Sequence, residues 1–356
     1  MQEKKRIAGL DVVRTVALLF IIGVHVFYHN GFYGQVQKGF GILLGDVLRW
    51  LTFSCVPLFI ILTGYLKCRA ELCKKYYKGI VPVLMAWVII SILCMVFRIT
   101  YLHVEKTPFE WLVEFFNYKA ADYSWYIELY IGLFALCPFL NRMFNWEADR
   151  SYHNALVVTM LLTAFVPSLV NNVILAASPL EVIPNYFVGL WPFAYYFTGC
   201  YICKYGCKIP LGICLLFAIV FSVFKGLLTF ITANGHKFND GIAGGYSDFF
   251  VACITILVFL SFYRVNAGSS GLRKIFSHIS KRSLCIYLLS SIPDAFANKL
   301  FLGVNAPVNY YWVFPARVLF VFAIALILSE IVYPVTMLLS RLIYRCFEAK
   351  GDGHEN

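Results

Sequence analysis

Long, continuously apolar runs alternate along the chain with short polar intervals rich in lysine and arginine. The runs fall near 8–28, 42–66, 79–101, 124–142, 153–177, 186–203, 210–232, 246–263, 283–302 and 312–336. A helix needs about 20 apolar residues to cross the hydrocarbon of a bilayer at 1.5 Å per residue. The runs lack the period-two alternation of a membrane barrel, which selects helices. The pattern predicts an all-α integral membrane protein of about ten transmembrane helices in a single domain, covering 1–350, with a short polar cytoplasmic tail at 351–356. Its polar intervals reach roughly 25 residues, too short to fold alone.

Composition sharpens this. Of 356 residues, 60% are hydrophobic and only 14% charged, with a mean hydropathy of +0.74. Soluble domains carry about 25% charged residues. The net charge of +11 could suggest a nucleic-acid partner, but its distribution argues for topology instead. With the amino terminus inside, 20 of the 30 basic residues lie on inner segments, 6 on outer segments and 4 within spans. That excess predicts cytoplasmic amino and carboxyl termini by the positive-inside rule, and no nucleic acid. The first run ends in Val26-Phe27-Tyr28-His29-Asn30, without a small-residue cleavage pattern, so it reads as a retained span. The 12 cysteines lie mostly in spans or on the inner side. Cys200, Cys203 and Cys207 lack a matching second pair, so no metal site is expected. Residues 103–122, rich in aromatics and carboxylates, predict a short amphipathic helix on the membrane surface. Asn234 to Gly241 predicts a turn-forming, flexible lid.

Ionisable groups within spans are costly and become functional candidates by default. Arg14 and His25 are 11 residues apart, three helical turns plus about 20°, so they share a face roughly 16 Å apart along the axis. Asp11 and His29 fall on the same stripe, giving a polar seam that should face a bundle interior or a water-filled cavity. Arg14 can anchor phosphate or carboxylate, or instead pair with Asp11 or snorkel to headgroups. His25 can take a proton near neutral pH, or can simply be a packed, hydrogen-bonded histidine. Asp46 and Arg49, one turn apart, read as a structural pair. Glu128, below Trp125 and Tyr126, together with Lys225 and Arg317, completes a group placed by topology in the outer half. Lys74, Lys75 and Lys78 serve either as topology determinants or as ligands for a cytoplasmic polyanion.

These motifs together resemble the membrane acyltransferase-3 family, which includes enzymes that O-acetylate bacterial surface polysaccharides and peptidoglycan. Leu10-Asp11-Val12-Val13-Arg14 followed by His25 resembles its opening signature. Val56 to Leu66 is similar to its second-span motif, with Thr63 where serine is usual. Ser124-Trp125-Tyr126 with Gly132 and Pro138 resembles the fourth-span motif, and Lys75-Tyr76-Tyr77-Lys78 with Pro82 the basic pair before the third span. Ser283 to Leu289 resembles the late serine–tyrosine segment. The basic pair is lysine where arginine is common, which loses the bidentate fork. Ser290 stands where a histidine is frequent, so no second catalytic histidine is carried over.

The resemblance implies transfer of an acyl group, usually acetyl, from cytoplasmic acyl-CoA to a hydroxyl of a cell-surface glycan or its lipid-linked precursor. It implies a catalytic set of His25, Arg14 and Asp11, and a donor site of Arg14, Lys75 and Lys78. Trp125, Tyr126 and Glu128 would bind the acceptor, and Glu128 could instead orient His25. Acetyl-CoA is then a substrate, and no permanently bound cofactor or metal is expected. Membrane lipid is the expected surrounding, and a separate partner would be needed for any second transfer step. The competing expectations are a multi-pass transporter or permease for a small polar solute or acyl group, and a non-catalytic membrane scaffold.

Overall fold

A computed structural model describes residues 7–174, 181–239, 245–266, 268–301 and 310–351. Lys4, Lys5, Arg6, residues 175–177 of the expected fifth span, Asp240 and Gly241 of the outer loop, Leu302 and the tail from 352 lie outside the described residues. In chain order the helices are α1 (Ala8–His29), α2 (Phe40–Phe53), α3 (Cys55–Lys67), α4 (Lys74–Lys78), α5 (Val81–Thr100), α6 (Pro108–Phe116) and α7 (Trp125–Phe144). They continue as α8 (Arg150–Leu169), α9 (Trp191–Tyr205), α10 (Leu211–Thr232), α11 (Phe249–Phe262), α12 (Ser270–Leu289), α13 (Ser291–Leu300) and α14 (Tyr310–Gly351). Among the described residues there is no strand, only an isolated antiparallel bridge between Val36 and Lys237.

Seven segments among the described residues are long and apolar enough to cross a membrane: 8–29, 40–67, 74–100, 125–144, 150–169, 211–232 and 313–345. The expected ten are therefore not all single membrane-length helices. The sixth and eighth runs form the 15-residue α9 and the 14-residue α11. The ninth run is divided at Ser290 between the end of α12 and α13. The apolar stretch there is read correctly, but its continuity is not. The second run is also broken, between α2 and α3 at Ser54, whose hydroxyl turns back to the Leu51 carbonyl at 2.7 Å. Pro57, in the first turn of α3, has no N–H to extend α2.

α10 shows why this sequence belongs in lipid. Its buried positions are Cys214, Ala218, Ser222, Lys225, Gly226 and Thr229, small or polar residues on one face. Its exposed positions include Leu216, Phe217, Val220, Phe224 and Ile231. A soluble helix buries its large apolar side chains, whereas this one turns them outward and packs through its small ones. The Ser222 and Thr229 hydroxyls are satisfied by the carbonyls one turn earlier, at 2.8 and 3.0 Å.

The described residues form two compact units, each discontinuous in sequence: those within 7–69, 140–280 and 301–318, and those within 70–139, 281–300 and 319–351. In the first unit, α3 and α9 meet at backbone distance. A Cβ on Gly64 would overlap the Tyr196 carbonyl oxygen, and one on Gly199 would overlap that of Ile61. Asn141 locks the end of this pair, donating to the Lys67 carbonyl and accepting from the Tyr196 hydroxyl, both at 2.7 Å.

In the second unit, the expected amphipathic helix is α6. Thr107 and Glu110 form a reciprocal capping box at its start. Phe109, Leu112, Val113 and Phe116 are exposed on one stripe, and Trp111 is buried. Glu114 pairs with Arg98 at 3.0 Å and with Lys106.

Candidate active site

α1 is one continuous helix that holds Asp11, Arg14, His25 and His29. Asp11 is buried at 5% exposure, Arg14 and His25 are partly buried, and His29 is exposed. The helix is seated by small residues. Gly9 lies against the Phe262–Tyr263 backbone, and Gly23 lies against Thr52 and the Phe314 ring. Phe27 stacks on Phe314 with ring centres 4.7 Å apart and meets Phe32 edge-on at 4.9 Å. These contacts seat α1 through its Gly23 and Phe27 face, and the Nδ1 atom of His25, on the other side of the helix, is shielded from solvent.

The Arg14 guanidinium donates to the hydroxyl of Ser280, a residue 3% exposed on α12, at 2.5 Å. A guanidinium held this way is oriented within the protein. Nothing in the sequence links these two positions, which lie 266 residues apart.

A second polar cluster lies in the same unit around Trp50, which is fully buried. The Arg49 guanidinium lies 3.8 Å from the centre of the Trp50 ring and 4.2 Å from that of Phe53. The Lys225 ammonium lies 4.4 Å from the Trp50 ring and 3.0 Å from the Asp248 carboxylate. The indole N–H donates to Thr229 at 2.8 Å. Asp46, also fully buried, faces Gln37, whose carboxamide nitrogen donates to it at 2.8 and 3.3 Å. Asp46 and Arg49, expected to pair with each other, are both buried, and each takes partners that their spacing does not reveal. The Gln37 backbone N–H donates to the His236 carbonyl at 2.8 Å, and Phe238 lies beside Trp50 and Tyr33. The described part of the expected lid is therefore pinned onto this cluster.

Arg317, also in the first unit, is fully buried, and the remaining predicted residues belong to the second unit. Trp125 and Glu128, one turn apart on α7, are both exposed, and Glu128 has no hydrogen-bond or ion-pair partner among the described residues. Tyr126 points the other way. It is 7% exposed, with its ring edge-on to Tyr287 at 6.2 Å. Trp125, Tyr126 and Glu128 therefore do not share one face. The interior that Tyr126 joins holds Tyr123, whose hydroxyl donates to Asp294 at 2.8 Å, and Tyr287, whose hydroxyl donates to the Tyr123 carbonyl. Tyr123 and Asp294 were not legible as partners. The only local hint was an acidic residue in an otherwise apolar stretch.

Lys74 and Lys75 are exposed and Lys78 is half-buried on the single turn α4. None of the three pairs with an acid among the described residues. The turn is held by its tyrosines, with the Tyr76 hydroxyl donating to the Phe134 carbonyl at 2.7 Å and the Tyr76 ring stacking on Phe134 at 4.4 Å. Tyr344 donates to the Lys78 carbonyl at 2.7 Å. The backbone that carries the three lysines is thus held in place.

The model of a family described as an acyltransferase domain matches residues 7–333, through both units. No curated protein and no solved structure matches the chain. A match over nearly the whole length, on a helical chain with membrane-length apolar segments, gives the same assignment as the opening Arg14–His25 signature. The chain belongs to the acyltransferase-3 family and is a multi-pass membrane acyltransferase.

Proposed function

We propose that the protein, acting as one domain over residues 1–350, moves an acetyl group from cytoplasmic acetyl-CoA to a hydroxyl of a cell-surface glycan or its lipid-linked precursor. It would do so in the cell membrane with both termini in the cytoplasm. His25 takes the proton from the acceptor hydroxyl as that oxygen attacks the thioester carbonyl. The carbon–sulfur bond breaks, and the CoA sulfur leaves with the proton returned by the imidazolium. Arg14 binds the anionic or polar arm of the donor, and Asp11 holds Arg14 and its helix end in register. Lys75 and Lys78 attract the CoA phosphates as point charges. Trp125 and Tyr126 offer aromatic surface to a sugar, and Glu128 accepts its hydroxyls.

The observation that supports this reading best is the seam on α1, with a buried acid, a guanidinium oriented by Ser280 and a partly buried imidazole on one helix of an acyltransferase. Membranes containing the protein, incubated with acetyl-labelled acetyl-CoA, should yield a labelled glycan or lipid-linked sugar. His25→Ala membranes with equal protein content should yield none. An active His25→Ala protein removes this mechanism, and a label found only on amines removes the hydroxyl acceptor.

A further inference from the structure

In the first unit, α3 and α9 run side by side in the same direction. Ile61 meets Gly199, Gly64 meets Cys200 and Cys68 meets Cys203, so contact positions rise together along both helices. Two glycines bring the backbones together, and one turn beyond them lie Cys68, just past the end of α3, and Cys203, in the last turn of α9. The Cys68 and Cys203 sulfurs are 3.1 Å apart, although 135 residues separate them in sequence. Two unbonded sulfurs normally sit farther apart than this, and a disulfide needs about 2.05 Å with its Cβ atoms about 3.8 Å apart. Both side chains are partly exposed, at helix ends that also carry Lys67, Arg69 and Lys204. Asn141 ties the end of α3, at Lys67, to Tyr196 on α9.

We propose that Cys68 and Cys203 form a reversible disulfide site that staples α3 to α9. The reaction requires an oxidant of the low-molecular-weight disulfide class. The thiolate of one cysteine attacks a sulfur of that disulfide and releases one small thiol. The second cysteine then attacks the mixed disulfide and releases the other. One sulfur–sulfur bond forms in the protein and one breaks in the oxidant. The two thiol protons end on the two small thiols. The hydrogen bond to Cys203 and burial both raise the Cys68 thiol above its ordinary range. The pair therefore rests as thiols and reacts more slowly than an exposed cysteine. Linked, the two helices can no longer slide past each other at their glycine contact.

The test uses the full chain in membranes treated with oxidised glutathione, followed by alkylation of remaining thiols, digestion and mass spectrometry. The expected product is a peptide containing Cys68 joined to one containing Cys203. It should be about 2 Da lighter than the sum of the two, for the hydrogens lost, and should disappear on dithiothreitol treatment. The unfolding midpoint of the oxidised protein should rise and return on reduction. Cys207→Ser should leave the linked peptide in place, and Cys68→Ser should remove it. The proposal is overturned if wild-type membranes give no linked peptide under excess oxidant, or if Cys203 is found joined to Cys207 or Cys73 instead. The wild-type measurement stands even if a serine variant fails to insert.

Discussion

Arg14 donates a hydrogen bond to Ser280, tying the first helix of the chain to the twelfth. A hydrogen bond to a charged group contributes about 1.5–3 kcal/mol. If this one orients the guanidinium for the donor, Ser280→Ala should lower kcat/KM for transfer by roughly ten- to a hundredfold with little change in protein yield. Arg14→Lys should lose more, because an ammonium cannot reproduce the fork. A Ser280→Ala enzyme with wild-type kinetics would show that the contact orients nothing that matters to the reaction.

The opposite faces taken by Tyr126 and its neighbours separate structural from binding effects. Tyr126→Ala empties a packed site beside Tyr287, and should cost about 3–5 kcal/mol of stability. Trp125→Ala and Glu128→Gln alter exposed positions, and should leave the melting temperature in detergent unchanged while raising the KM for the acceptor. Equal losses of stability in all three would contradict the division of faces.

Lys225 and Asp248 form an ion pair with almost no exposure, resting on Trp50. Removing only one partner leaves a buried charge uncompensated, so Lys225→Met should cost about 3–5 kcal/mol. The double variant Lys225→Met/Asp248→Asn should recover most of that loss. Thermal unfolding of the three proteins reads the difference directly. A double variant as unstable as the single one would place the cost in packing rather than charge.

Glycines on two helices should respond in opposite ways. Gly64→Ala and Gly199→Ala each drive a methyl group into a neighbouring backbone carbonyl, and should reduce the yield of folded protein severely. Gly132, in the interior of α7, has open space where a Cβ would go. Gly132→Ala should be neutral or stabilise by about 0.5–1 kcal/mol through helix propensity. Size-exclusion profiles and melting curves distinguish these outcomes.

The start of α6 should depend on pH. The Thr107 backbone N–H and hydroxyl both donate to Glu110 and lower its pKa. Because the folded value is depressed, the capping contribution is fully present above the ordinary glutamate range near pH 4.3. It is lost as pH falls through the folded value. Amide exchange at Thr107 and over residues 109–111 should accelerate as the pH falls below that range, after correction for intrinsic rates. Glu110→Gln should flatten the dependence.

The apolar runs made the helical class legible because lipid demands long, uninterrupted apolar helices, and composition alone reveals them. The Arg14–His25 stripe was legible because a helix has a fixed 100° turn, so spacing within one element gives a face. Lys75 and Lys78 were legible as a basic turn. The break at Ser290 was harder to see, since apolar character continues through it while the backbone does not. Asp248 carried a readable signal as an acid directly before an apolar helix, where it accepts the Val251 N–H at 2.9 Å, but its pairing with Lys225 did not.

What the sequence determined by itself was the all-helical membrane class, the family and the face of α1 that carries Asp11, Arg14 and His25. All three are local or compositional properties, set by residue type and by the periodicity of one helix. Tertiary structure decided that Arg14 reaches Ser280, that Trp50 lies between two cations, that Tyr126 turns away from Trp125 and that Cys68 meets Cys203. Those pairings depend on which helices pack together and at what rotation. That is set by small residues such as Gly64, Gly199 and Gly23 admitting a neighbour's backbone or side chains, a property of two surfaces that no single run of sequence contains.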